Sequence, residues 1–233
     1  MRRIICGIFL VALSSAGAEP GWKPLFNGRN LDGWEIRGES IWSVVTDGVL
    51  LGQRAHPDPA SPFAAPWPID RKAYLGWLYR QAWLYTAEEY SEYDLHLEYW
   101  IPPQGNSGVS IHDGSRAHHA IGEPDAARPD LARFPKTTPA HIGYEIQIID
   151  GDEKNPSGSI YSLVPAKTGF QRRAEWNAMD IESRGGRIRV RINGHIAAEG
   201  AADPARPTKG PIGLQLHDQF TFAMFRNIRL RAW

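Results

Sequence analysis

The chain has 233 residues, and its 26 basic and 26 acidic side chains give a formal net charge of zero at neutral pH. This balance excludes a strong electrostatic field for nucleic acid or for an anionic membrane, and it favours a neutral partner. A single cysteine, Cys6, excludes a disulfide within the chain.

Residues 1–18 have the pattern of a secretory signal peptide. Two arginines precede an apolar run over 4–13, and the small residues that follow end in an Ala-x-Ala motif at Ala18. We expect cleavage after Ala18 and export to the periplasm or the extracellular space. Cys6 lies within the apolar run, so the exported chain carries no thiol nucleophile or thiolate metal site. No segment approaches the roughly 20 apolar residues of a transmembrane helix, and we predict no membrane span.

Short strand patterns then alternate with glycine and proline, and no long stretch has helical periodicity. Asp47-Gly48 is a favoured turn dipeptide and predicts a hairpin over 42–51. Residues 93–100 alternate apolar and polar side chains, as a half-buried strand does. Further strands are predicted at 108–112, 144–149, 159–164, 176–182, 187–192, 212–216 and 225–231. The pattern favours one all-β domain over 19–233, a β-sandwich or jelly roll.

Two long connections interrupt the strands near 54–81 and 113–141. The first is rich in proline, alanine and tryptophan, and the second carries four prolines and three histidines. Connections of this length are typically functional lids or binding loops, or insertions that decorate the rim of a fold. Both alternatives stay open for this sequence.

The stretch Gly143-Tyr-Glu-Ile-Gln-Ile-Ile-Asp150 is the strongest candidate for a functional strand. Because successive strand side chains point to opposite faces, Glu145 and Gln147 share the surface away from the core. The same alternation puts Ser110 and His112 on an outer face of the strand at 108–112. On the strand at 212–216 it places Gln215, with His217 just beyond, opposite Ile212, Leu214 and Leu216. His112 and His217 are candidate proton-transfer groups, since the pKa of histidine lies near neutrality; the alternative is hydrogen-bonded rim residues.

Nine tryptophans and eight tyrosines are a large aromatic content, and aromatic faces stack on sugar rings. Trp34, Trp42, Trp100 and Trp176 are expected in the core, and Trp67, Trp77 and Trp83 are candidates for stacking on a ligand. Lys154, with Asp150 and Asp152, follows the strand at 144–149, where end loops meet a ligand.

Several further motifs occur together and in a fixed order along the chain. They are LFNGRNLDGW at 25–34, WSVVTDGV at 42–49, GNSGV at 105–109, GYEIQIID at 143–150, GSIY at 158–161, EWN at 175–177, ING at 192–194, GPIGLQ at 210–215 with His217, and FRNI at 225–228. With these motifs the chain resembles the DUF1080 family, also called the 3-keto-disaccharide hydrolase domain. The resemblance implies a concanavalin A-like jelly-roll fold.

The resemblance also implies an exported enzyme that acts on glycosides already oxidised to a ketone at C3. On that basis Glu145 or His217 is the base that removes the C2 proton, and His112 is a donor or acid. Relatives often have arginine at the position of His112. Gln147, Gln215 and Asn106 are expected to hold hydroxyls or the ketone, and Lys154 and Trp77 complete the predicted substrate contacts.

Two other functions fit parts of the pattern. Retaining β-glucanases of the same fold carry a Glu-x-Asp-x-x-Glu strand with carboxylates about 5 to 5.5 Å apart, where this chain has Glu145, Gln147 and Asp150. A noncatalytic carbohydrate-binding module needs only stacking aromatics and hydrogen bonds. We predict no cofactor and no metal site; the alternatives are Ca²⁺ held by Asp150, Asp152 and backbone carbonyls, and a transition metal held by histidines with carboxylates. The predicted partner is a sugar or glycoside, and the oligomeric state stays open.

Overall fold

A computed structural model describes residues 21–55, 81–118, 138–217 and 221–233. The predicted signal peptide lies outside this part of the chain, as do most of the two long connections.

The described residues form thirteen strands and two short helical turns. The strands are β1 (Lys23–Pro24), β2 (Trp34–Arg37), β3 (Ser40–Val45), β4 (Val49–Arg54), β5 (Ala82–Thr86), β6 (Tyr93–Trp100), β7 (Asn106–Ile111), β8 (Tyr144–Ile149), β9 (Asn177–Arg184), β10 (Arg187–Ile192), β11 (His195–Ala201), β12 (Ile212–Leu216) and β13 (Phe222–Ala232). A 3-10 turn at Thr46–Gly48 joins β3 to β4, and the helical turn α1 (Pro139–Ile142) precedes β8.

The strands pair antiparallel in two sheets. The large sheet has the order β11-β10-β9-β6-β13-β4-β3, with β1 also paired to β13, and the small sheet has the order β2-β5-β12-β7-β8. The predicted all-β sandwich is therefore confirmed. In the portion of the chain that the structure covers, no helix is long and apolar enough to cross a membrane.

Several strands lie where alternation and turn dipeptides predict them. β6, β10 and β12 have the predicted bounds, and β3 and β4 form the hairpin around the predicted turn. The strand predicted at 159–164 is wrong: Ile160 makes isolated bridges with Ile146 and Val164 instead. β5 was not predicted, because its sequence Ala-Trp-Leu-Tyr-Thr has bulky side chains on both faces and follows directly on a long connection.

The main core lies between the two sheets. Inward-facing side chains of β6 and β9, such as Leu97 and Ile181, are fully buried with those of β7, β8 and β12. Trp34 and Trp42 are core residues as predicted. The prediction is wrong for two other tryptophans, which lie outside the core: Trp100 stacks on Phe222, and the Arg226 guanidinium lies over Trp176.

The outer face of the large sheet is a solvated surface of paired charges. Arg189 contacts Glu182 and Glu199, each at 3.0 Å, and Arg231 contacts Asp94 at 2.5 Å. Hydrogen bonds from Arg189 and then Arg187 lower the pKa of Glu199 to about 2. The small sheet differs, because its outer face carries buried polar groups.

Candidate functional site

The outer face of the small sheet holds two rows of side chains that cross four strands. In the first row, Ser110 of β7 pairs with Glu145 of β8 on one side and with Gly213 of β12 on the other. Gly213 in turn pairs with Tyr85 of β5. Tyr85, Gly213, Ser110 and Glu145 thus lie side by side across the sheet.

The second row lies next to the first on the same strands. Gln215 pairs with Trp83, and Gly108 pairs with Gln147. A Cβ atom on Gly108 would lie 3.3 Å from Oε1 of Gln215, so these two residues are also neighbours. We call the surface formed by both rows, together with Asn106, which precedes Gly108 by two residues on β7, the polar face.

Glu145 is the titratable centre of the polar face. Only 5% of the surface of Glu145 is exposed to solvent. Burial disfavours the carboxylate and raises the pKa of Glu145 to about 8, while the nearby Gln215 side chain opposes this rise. A carboxyl group with such a pKa exchanges its proton near neutral pH, as a general base or acid must.

Two glycines make room for the larger side chains of the polar face. A Cβ atom on Gly108 would lie 2.8 Å from Oε1 of Glu145. A Cβ atom on Gly213 would overlap the ring of Tyr85. Glycine inside a strand commonly marks a close approach of this kind. The side chains of Glu145, Gln215 and Tyr85 therefore lie close over the backbone of β7 and β12.

The polar face also contains buried polar atoms without a hydrogen-bond partner. Within the described part of the chain, these atoms are Oγ of Ser110, both amide atoms of Gln215 and Oδ1 of Asn106. Gln215 is near enough to Glu145 to affect its pKa, but its amide makes no hydrogen bond of standard geometry. Unpaired buried groups cost free energy, so this cluster makes the polar face a candidate ligand site.

Asp113 anchors one end of the first row. Its Oδ2 accepts hydrogen bonds from the Tyr85 hydroxyl at 3.2 Å and from the Ala117 backbone at 2.9 Å, and its Oδ1 accepts two from Ser115. Burial, followed by the charge of Asp113, raises the pKa of Tyr85 well above its usual value, so this phenol stays neutral. Trp83 stacks on Tyr85 with ring centroids 5.6 Å apart.

Tyr85 and Asp113 were not predicted from the sequence, and Ser110 was predicted only as an outward-facing residue. Serine in a strand carries no signal of function by itself. Parity on β5 would have placed Trp83 and Tyr85 together, had that strand been recognised.

The prediction that His112 shares the outer face with Ser110 is wrong. β7 ends at Ile111, and His112 has a φ of 61°, which breaks the alternation. Its ring instead packs edge-on against Tyr93 and Tyr144 of the core, and its Nε2 lies 3.4 Å from the Ser183 hydroxyl. Burial lowers the pKa of His112, so the ring is neutral at neutral pH.

The other predicted residues occupy different positions. Glu145, Gln147 and Gln215 share the polar face, as strand parity predicts, and Asn106 lies on it as well; the roles of all four stay predictions. His217 directly follows β12 and is half-buried. Lys154 is exposed and its backbone N–H donates to Asp152 in a turn, and Trp77 lies outside the described residues.

Asp150 stands at the position of the last glutamate in the Glu-x-Asp-x-x-Glu pattern of glucanases, but it is not part of a strand. It lies beyond the end of β8, and its Oδ2 accepts hydrogen bonds from the Gln104 backbone and from Arg173, both at 2.9 Å. Asp152 accepts from two backbone N–H groups of its own turn. Among the residues that the structure covers, no group of three or more His, Cys, Asp or Glu side chains is arranged to hold a metal ion.

A cleft of about 370 Å³ adjoins the end of β8. Asp150, Asp152, Lys167, Phe170 and Gln171 are among its lining residues. Ile149, which lies on the same face of β8 as Gln147, also lines it, so the cleft borders the end of a strand that carries the polar face.

Comparison with solved structures shows where else this fold occurs. A candidate glycosyl hydrolase from Parabacteroides distasonis is similar with a TM-score of 0.60 and 24% identity, over 91% of this chain and 99% of that one. The carbohydrate-binding module CBM66 from Bacillus subtilis has a TM-score of 0.51 and 12% identity, over 84% and 94%. The β-glucanase from Bacillus licheniformis has a TM-score of 0.54 and 10% identity, over 91% and 97%. These likenesses show a shared jelly-roll fold.

No curated protein matches the chain in a sequence search. A family model does match, the 3-keto-alpha-glucoside-1,2-lyase-like domain, over residues 21–231. The match covers both sheets and every strand of the polar face. The chain therefore belongs to the 3-keto-alpha-glucoside-1,2-lyase-like family.

Proposed function

We propose that the protein is an enzyme that cleaves glycosides whose sugar is oxidised to a ketone at C3. Family membership supports a carbohydrate-active role. The observation that carries the finer proposal is Glu145, a buried carboxyl group with its pKa raised to about 8 and unpaired polar atoms around it. Such a group suits the removal of a weakly acidic C–H proton.

The C3 ketone makes the C2 hydrogen acidic. Glu145 takes the C2 proton, and the electrons of that C–H bond form an enolate with its negative charge on O3. The C3 carbonyl then re-forms, a C1–C2 double bond appears, and the C1–O bond breaks; the leaving oxygen takes a proton from water. The hydroxide left from that water adds to C1 and the Glu145 carboxylic acid returns its proton to C2, so one water is consumed in a net hydrolysis and the Glu145 carboxylate is restored. Because the ketone is already present in the substrate, these steps require no redox cofactor.

The raised pKa of Glu145 serves both stages of this sequence. A base of higher pKa has a larger driving force to take a proton from carbon than an ordinary glutamate does. The resulting carboxylic acid can return the proton to C2 during hydration. Gln147, Gln215 and Asn106 are proposed to bind the sugar hydroxyls or the ketone, since they lie beside Glu145 on the polar face.

The exported location belongs to the same proposal. Residues 1–18 predict transport to the periplasm or beyond, where the protein meets sugars from outside the cell. Cell fractionation with antibody detection tests it; recovery of an unprocessed chain in the cytoplasm contradicts it.

The test of activity is release of 3-ketoglucose from 3-keto-trehalose or an aryl 3-keto-glucoside, with the unoxidised sugar and a β-glucan alongside. We expect release from the keto substrates alone. The variant E145Q should lose turnover, whereas E182Q, which changes a glutamate of the ion-paired outer face, should keep it. Treatment with EDTA tests the predicted absence of a required metal, and we expect activity to persist.

Other outcomes of this assay separate the alternatives. Cleavage of the β-glucan alone supports a glucanase and removes the proposal. Binding of sugars without release of any product supports a carbohydrate-binding module. A full rate for E145Q removes Glu145 from the mechanism.

A further inference from the structure

Ser110 has a feature that packing does not explain. Its residue is fully buried, and its hydroxyl has no hydrogen-bond partner among the described residues. The hydroxyl lies near the Tyr85 phenol and opposes the rise of that phenol's pKa, but no hydrogen bond of standard geometry joins them. A serine that served only to fill space could be alanine at no cost in hydrogen bonding.

The position of Ser110 relative to Glu145 suggests what the hydroxyl does. The two residues are paired directly across β7 and β8. If Glu145 removes the proton on C2, then C3 and its oxygen are one bond away from the reacting carbon. A group that binds the C3 oxygen must therefore lie beside Glu145, as Ser110 does.

The Gln215 side chain is a second group that reaches the position beside Glu145 where the C3 oxygen would lie. A Cβ atom on Gly108 would lie 2.8 Å from Glu145 and 3.3 Å from Gln215, so both side chains extend over the same glycine. The Gln215 residue is fully buried, and neither atom of its amide has a partner among the residues described. The amide atom nearest Gly108 is Oε1, and a 180° rotation of this unpaired amide puts its N–H group at that place, where it can donate.

We infer that the Ser110 hydroxyl and the Gln215 amide together donate hydrogen bonds to the substrate oxygen on C3. This inference rests on the proposed function. Negative charge develops on that oxygen as the C2–H bond breaks and Glu145 takes the proton. Fixed donors that are buried from bulk solvent stabilise such a charge more than they stabilise the neutral ketone, which lowers the barrier. Ser110 is then a catalytic residue.

The variant S110A tests the inference, with the buried Ser107 as a matched control on the same strand. Ser107 lies on the opposite side of β7, and its hydroxyl donates to the Gln215 backbone carbonyl at 2.8 Å. S110A should lower kcat on a keto substrate by roughly 10²- to 10³-fold with little change in KM, since one donor to a developing oxyanion is lost. Its melting temperature should equal or exceed that of the wild type, because an unpaired hydroxyl is removed. S107A should show the opposite pattern, with a lower melting temperature and kcat within a few-fold of wild type.

A second measurement locates the effect in the reaction. With substrate deuterated at C2, S110A should show a primary isotope effect on kcat at least as large as that of the wild type, because proton removal has become slower. The inference is overturned if S110A retains the wild-type kcat, or if S107A loses kcat to the same extent. If the wild type itself releases no product from keto substrates, the proposed function fails before Ser110 is examined.

Discussion

At the scale of single residues, the site depends on the absence of a side chain at Gly108 as well as on the carboxyl group of Glu145. The glycine has no side chain to push the carboxyl group away, so Glu145 and Gln215 lie over it. Burial then sets the pKa of Glu145.

The variant G108A should fold and lose activity. Its new methyl group would lie 2.8 Å from Oε1 of Glu145 and displace that side chain from its place beside Ser110. We expect kcat/KM to fall by roughly 10²-fold, as a misplaced catalytic group causes. Circular dichroism checks the fold and product release checks activity; an unchanged rate with an intact fold would show that Glu145 need not lie over Gly108.

The activity should follow the protonation of Glu145. A base must be ionised, so kcat/KM should rise about tenfold per pH unit below pH 8 and level off above it. The control variant E182Q should give the same profile. A profile that falls as the pH passes 8 would instead make Glu145 an acid in the rate-limiting step.

The burial of the Glu145 carboxyl group should also make the free energy of unfolding depend on pH. Burial raises its pKa from 4.5 to about 8, so the folded protein binds more protons than the unfolded chain between these values. The free energy of unfolding therefore falls as pH rises across this range, by at most about 5 kcal/mol. E145Q should remove this loss and be more stable than wild type at pH 9 but not at pH 4. Urea unfolding at both pH values measures it, and identical pH dependence in both proteins would contradict it.

At the scale of elements, the end of β7 separates a catalytic position from a structural one. Ser110 lies on the polar face, and two residues later the positive φ of His112 turns its ring toward Tyr93 and Tyr144. Strand parity is therefore valid only as far as the strand extends. His112 contributes to stability, and its lowered pKa gives that contribution a pH dependence.

The variant H112N tests this assignment, since asparagine tolerates a positive φ. The folded protein disfavours protonation of His112, so its contribution is fully present above pH 6.5 and is lost as pH falls from 6.5 through the lower pKa of the folded state. H112N should lower the free energy of unfolding at pH 8 by about 1 to 3 kcal/mol through lost packing. It should also remove the part of the acid-side decline that His112 causes. A large loss of kcat with unchanged stability would restore His112 as a catalytic candidate.

β7 and the two strands beside it show how much of this site the sequence predicts. The alternation at 144–149 and 212–216 correctly places Glu145, Gln147 and Gln215 on outer faces. That β7 lies between β8 and β12 is a long-range pairing, and nothing local encodes it. The unpaired Ser110 hydroxyl depends on three strands at once. For these reasons strand positions and the outward placement of Glu145, Gln147 and Gln215 were predictable, but Tyr85, Asp113 and the order in which the strands pair were not.

At the scale of the whole molecule, the outer faces of the two sheets differ in their chemistry. The large sheet faces solvent with pairs such as Arg189 with Glu199, while the small sheet carries the buried polar face. The overall charge is balanced and the proposed substrate is neutral. Long-range electrostatics therefore contributes little to either folding or encounter.

High salt should consequently have small effects. In 1 M NaCl, where charges more than about 3 Å apart are screened, we expect kcat/KM on a neutral keto-glycoside to stay within about twofold. The melting temperature should change by less than about 4 °C, because exposed ion pairs contribute little. A tenfold loss of kcat/KM would indicate a charged group that steers or binds the substrate.

The polar groups of the site are mounted on adjacent strands of one sheet, and this has a consequence for engineering. Hydrogen-bonded strands hold side-chain positions more precisely than loops do. Exchanging the connecting segments should therefore alter which leaving groups are accepted while the proton-transfer geometry is inherited intact. The small sheet is in this sense a fixed framework on which the connecting segments can be varied without moving the polar face.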